Sequence, residues 1–108
     1  MIVNIAENAS ASLSMADDFK RFSVRIVARA GEMSVLRDRL SGIGRLVDLH
    51  TMWIDENWLR SAPGRGQGED WQDALSIMIA SAKQHGWIDE ANRLIKAHVE
   101  WIGPEIHN

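Results

Sequence analysis

The sequence predicts an all-α fold, a compact bundle of about four to five helices ending in an αα-hairpin. Apolar residues recur at steps of three and four from Met15 to Ile102, the spacing that lines one side of a helix. With 108 residues, 45% of them apolar and 25% charged, the chain is long enough for one core and too short for two. A Gly/Pro-rich loop at 61–69 interrupts the pattern without making a second domain.

Residues 1–14 are rich in Ala, Ser and Asn, and Ser10 to Ser14 carries no apolar period. They read as a flexible N-terminal tail, followed by a single helical domain over 15–108. Met15, Phe19, Phe22, Ile26, Ala30 and Met33 then predict a first helix, with Asp18, Arg21, Arg25 and Arg29 along its opposite side. Asp17 and Asp18 complement a helix N-terminus, and Gly31 is placed to end the helix. A competing reading starts from the alternation of Phe22-Ser23-Val24-Arg25-Ile26. With a helix from Glu32 and a second strand at Leu46 to Met52, it gives an α+β fold with a small β-α-β unit at 22–52.

Leu36, Leu40, Ile43, Val47, His50, Ile54 and Trp58 continue the helical spacing, and Leu46, Leu49 and Trp53 widen the stripe. Gly42 and Gly44 each cost about 1 kcal/mol in a helix interior, so the stretch breaks at 41–44 into a short helix and a longer one. The loop Ser61 to Gly68 combines Pro63 with three glycines and reads as a mobile connector. After it, Asp70 and Asp73 resemble a capping box, Trp71, Ala74, Leu75, Met78, Ile79 and Ala82 form an apolar face, and Gly86 stops the helix. A last helix is expected over Trp87, Ala91, Leu94, His98 and Trp101, flanked by Ile88, Ile95 and Ile102 and closed by Gly103-Pro104.

Trp-Ile-Asp-Glu occurs twice, at 53–56 and 87–90, a separation of 34 residues typical of helical-hairpin repeats. Gly86-Trp87-Ile88-Asp89-Glu90-Ala91 resembles the inter-helix turn of a tetratricopeptide repeat. Ile79, Ala82 and His98 depart from that pattern, so the resemblance implies a local αα-hairpin and not membership of the repeat family.

Several chemistries find no support. The chain has no cysteine, which removes disulfides, thiolate metal sites and cysteine nucleophiles. Met1 to Glu7 lacks the basic region of a signal peptide, and no apolar run approaches the roughly 18 to 20 residues of a membrane span, so a cytoplasmic protein with no membrane partner is expected. His50, His85, His98 and His107 include no i, i+4 pair, so no metal is expected. The acid pairs Asp17/Asp18, Asp55/Glu56 and Asp89/Glu90 point about 100° apart on a helix and cannot share a proton. No serine sits in a nucleophile elbow. Gly64 to Gly68 before a helix suggests a phosphate cradle, but Glu69, Asp70 and Asp73 would repel the anion. No enzyme activity and no cofactor are expected.

Binding is the remaining expectation. From Phe19 to Arg45 seven bases face two acids, and from Leu46 onward ten acids face five bases. Five tryptophans, all after residue 52, are an unusual number beside two phenylalanines and no tyrosine. Trp53, Trp71 and Trp87 are expected to build the core, while Trp58 and Trp101, near helix ends, are candidate partner-binding residues with Arg21, Arg25 and Arg29. The expected function is a non-catalytic protein–protein interaction module: an adaptor, an accessory subunit or a small inhibitor of a larger complex, a class that often comes from phage or mobile elements. Its partner would be another protein or a second copy. The alternative is nucleic-acid binding through the basic face of residues 20–45.

Overall fold

Ile95, Ala97 and Val99 are buried while Lys96, His98 and Glu100 between them are exposed. That is the period of two that sends alternate side chains to opposite faces of a sheet. The computed structural model describes residues 1–103; Pro104 and His107 lie outside them. Its strands are β1 (Ile2–Ile5), β2 (Ala11–Ser14), β3 (Ser23–Val27), β4 (Gly44–Leu46), β5 (Thr51–Asp55), β6 (Ile88–Asp89) and β7 (Leu94–Ile102). Its helices are α1 (Met33–Arg39), entered through a 3-10 turn at Ala30–Glu32, then α2 (Glu56–Arg60) and α3 (Gly68–Gln84).

All seven strands belong to one curled sheet, ordered β2-β1-β3-β7-β5-β4, with β6 added beside β7. The chain is therefore mixed α/β, and the all-α helical bundle is overturned. β3 pairs with β1 and β7 in parallel, while the β1–β2, β4–β5, β5–β7 and β6–β7 pairs are antiparallel. β7 is the hub: β5 pairs with one edge at Leu94 to His98, and the other edge carries β6 at Leu94–Ile95 and β3 from His98 onward.

The short helix expected before the break at 41–44 is present as α1, and the helix expected after the loop is present as α3; the other expected helices give way largely to strand or turn. Met15 to Met33 divides into a crossover, β3 and the start of α1. The expected helix through Trp58 becomes β4, β5 and the short α2. Residues expected from Trp87 to Ile102 form β6 and β7, so there is no αα-hairpin. The β-α-β alternative also needs correction. β3 and β4 do run in the same direction across α1, but β7 and β5 lie between them, and a turn at 47–50 splits the second strand.

Residues 1–14, expected as a tail, supply two strands, with Met1, Val3 and Ile5 fully buried. The Met1 amino group donates to the carbonyls of Asp18 and Arg21, each at 2.7 Å, and partial burial lowers its pKa. One core joins Val3, Ile5, Val24, Ile26, Met52 and Ile54 of the sheet to Leu36 and Leu40 at α1, Leu59 of α2, and Trp71, Leu75 and Met78 of α3. Full burial of a side chain of this kind is worth about 1.5–3 kcal/mol.

The 61–69 loop, expected as a mobile connector, makes specific contacts with β2 and α3. Leu13 donates its backbone N–H to the Pro63 carbonyl at 2.7 Å, so the loop covers the outer edge of β2. Gly66 lies against the indole of Trp71 with no room for a Cβ. The opposite edge is covered too: Arg37 reaches from α1 to the carbonyls of Leu46 and Val47, at 2.8 and 3.2 Å. An unpaired edge invites pairing with another chain, and each outer edge here has some of its backbone groups taken in this way.

The two Trp-Ile-Asp-Glu copies are strand ends, not turns between helices. Ile54 and Ile88 both pair with Ile95, and Asp55 and Asp89 both pair with Leu94, from opposite edges of β7. Trp53 pairs with Lys96, whose N–H donates to the Trp87 carbonyl at 2.8 Å. Each aspartate then accepts from the backbone N–H three residues on, Asp55 from Trp58 at 3.0 Å and Asp89 from Asn92 at 3.2 Å.

Candidate functional site

On the edge of β7 the pairing with β6 ends at the Lys96–Trp87 hydrogen bond and the pairing with β3 begins at His98, and two cavities share lining residues beside this junction. The larger, about 630 Å³, lies under the C-terminal half of α3 and is lined by Phe19, Phe22, Ile77, Met78, Trp87 and Ile95 among others. The smaller, about 310 Å³, is lined by His50, Thr51, Ala97 and His98. Phe22, Trp87 and Lys96 line both.

Local sequence explains this cleft. α3 buries Trp71, Leu75, Met78 and Ala82, at three-and-four spacing, which turns Ile77 outward. Gly86, with φ +76°, ends the helix in a left-handed turn that carries Trp87 to the edge of the sheet. There the Trp87 ring stacks on His85 at a centroid distance of 4.5 Å. As a result Ile77 is 71% exposed and Trp87 47% exposed on the two sides of the cleft. Large apolar groups gathered around a concavity mark a binding surface far more often than scattered ones do.

The expected site residues are dispersed. Arg21 and Arg29 flank β3 and Arg25 lies on it, so the three are spread along extended chain and share no helix face. Arg25 faces Glu100 of β7 at 3.9 Å, and its Nε is buried without a hydrogen-bond partner among the described residues. Trp58 and Trp101 are half-buried against the core, Trp101 donating its indole N–H to the Leu49 carbonyl at 2.7 Å. None of these five lines the cleft. Of the three tryptophans expected in the core, Trp71 alone is buried; it packs on Phe19 and donates to the Ala16 carbonyl at 2.9 Å. Trp87, the tryptophan at the cleft, was legible as a large apolar residue directly after a helix-ending glycine.

His50 and His98, expected on apolar helix faces, are exposed and lie parallel with ring centroids 6.5 Å apart. Among the described residues no group of three His, Asp or Glu side chains is arranged to hold a metal ion.

A third cavity, about 320 Å³, is bounded by a polar network that holds α2, α3 and the β6–β7 turn together. Arg60 donates to Glu56, Gln72 and Ser76 at 2.9–3.3 Å, and Arg93 reaches Glu56 at 2.6 Å. Burial pushes the Glu56 carboxyl up, but the hydrogen bonds from Arg60 and Arg93 outweigh it and hold the group below its ordinary value of 4.5. Lys83 pairs with Glu90, which raises the lysine, and hydrogen bonds from Asn92 lower Asp89. These charges satisfy one another, and the network reads as structural.

Fold and site together define a layered α/β domain with an apolar cleft at a junction in its sheet. No protein-family model, curated protein or solved structure matches the chain. Among the described residues no helix is long and apolar enough to cross a membrane.

Proposed function

We propose that this chain is a non-catalytic protein-binding module that grips a segment of a partner protein in the cleft between α3 and β7. The observation that carries the reading is the exposure of Ile77 and Trp87 on its two sides, 71% and 47%. Leaving large apolar groups in water costs stability, and a partner that covers them regains it. The cleft, not an outer strand edge, carries the exposed apolar groups, which favours another protein seated there over a second copy added by strand pairing. An accessory subunit or small inhibitor of a larger complex fits this size and surface, and the lack of cysteine fits a cytoplasmic setting.

Nucleic-acid binding through residues 20–45 has weaker support, because Arg21, Arg25 and Arg29 form no common helix face and Arg25 is engaged by Glu100.

The test is retrieval from native lysate with wild type, Ile77→Asp and Val35→Asp as bait. Val35 is exposed on α1, away from the cleft lining. A partner retained by wild type and Val35→Asp and lost with Ile77→Asp supports the reading. A partner indifferent to Ile77→Asp, or none at all, rejects it.

A further inference from the structure

We infer that the partner segment is acidic as well as apolar, an inference that rests on the cleft being the binding site. The titratable groups lining the two joined cavities are Lys20, His85 and Lys96 in the larger and His50, Lys96 and His98 in the smaller. No aspartate or glutamate lines either, although the whole chain carries 15 acids against 12 bases. The third cavity shows the contrast: Glu56 and Glu90 line it together with Arg60, Lys83 and Arg93, and pair with them. Lys20 and Lys96 enter no ion pair among the described residues. Unmatched charge of one sign around an apolar cleft selects the opposite sign in what it binds and repels its own.

Lys96 is the pivotal group, because it stands where the cavities join, between Phe22 and Trp87. A bulky apolar side chain of the partner enters beneath α3 against Ile77 and Trp87. An aspartate or glutamate beside it meets Lys96, with His98 on one side and Lys20 at the far rim. Such a segment joins an aromatic or aliphatic anchor to carboxylates within a few residues.

Selection from a phage-displayed random peptide library tests this directly, with wild type, Ile77→Asp, and the pair Lys20→Glu and Lys96→Glu as separate targets. Both lysines are exposed, and circular dichroism of each variant checks that the fold is kept. Expected are binders to wild type that combine large apolar residues with Asp and Glu, that weaken at least tenfold at raised salt, and that are lost with Ile77→Asp. The lysine-reversed variant is expected to select basic sequences instead. Neutral or basic binders that still require Ile77 would overturn the charge inference and leave the cleft reading standing. Binders indifferent to Ile77→Asp, or no binders, would overturn both.

Discussion

Asp55 and Asp89 pair with the same residue, Leu94, from opposite edges of β7, and each closes the turn that follows it. The copies differ in burden. Asp55 caps the N-terminus of α2 by accepting from Trp58, whereas Asp89 holds only an exposed turn. Asp55→Ala is expected to cost about 1 kcal/mol, the usual worth of such a cap, and Asp89→Ala clearly less. Urea unfolding of the two variants checks the order.

Gly64 has φ +85°, and a Cβ there would overlap the Leu13 carbonyl oxygen. Gly64→Ala therefore strains the backbone and lifts the loop from β2 together. A loss of about 1–3 kcal/mol is expected by calorimetry. Gly31→Ala, where a Cβ meets nothing within 4 Å, serves as the comparison and is expected to change little.

Leu75 and Ile77 sit two residues apart on α3, one fully buried and the other largely exposed. Leu75→Ala is expected to cost about 2–5 kcal/mol. Ile77→Ser is expected to fall within about 0.5 kcal/mol of wild type. Equal losses in thermal unfolding would mean that Ile77 packs in the fold, and would remove it from the binding surface.

Glu56 is held below its ordinary 4.5 by Arg60 and Arg93, so its ion pairs contribute in full above that pH. The contribution is expected to fade as pH drops through the lower folded value, because the unfolded chain takes up the proton first. Stability measured against pH for wild type and Glu56→Gln is expected to differ most at neutral pH and to converge in acid. A gap that stays constant down to acid pH would show that the carboxylate charge is not what Glu56 supplies.

Much of α3 was readable, since Trp71, Leu75, Met78 and Ala82 carry helical spacing over a continuous run closed by Gly86. The alternation from Phe22 to Ile26 likewise lies over β3. β7 was hidden for a physical reason: Leu94, Lys96, Ala97 and Glu100 favour helix or are poor strand formers, and most of the strand is imposed by β3 and β5, two partners distant in sequence. Steps of three and four also intersect steps of two in short windows. Phe22 and Ile26 satisfy both, as do Leu94 and His98. The cleft was less legible still, because Phe19, Ile77 and Lys96 come together only once that sheet has formed.

The place of β7 bears on how the chain acquires its shape. β1 to β3 form one strip and β4 with β5 another, and among the described residues only β7, the last of these strands, joins them. A nascent chain that has reached Arg93 holds two unconnected ribbons, each with one side of the seam unsatisfied. Assembly waits for the closing piece, and pairings this remote in sequence form slowly, on the scale of milliseconds to seconds. Unpaired strand edges of this kind are where misassembly of an incomplete chain begins.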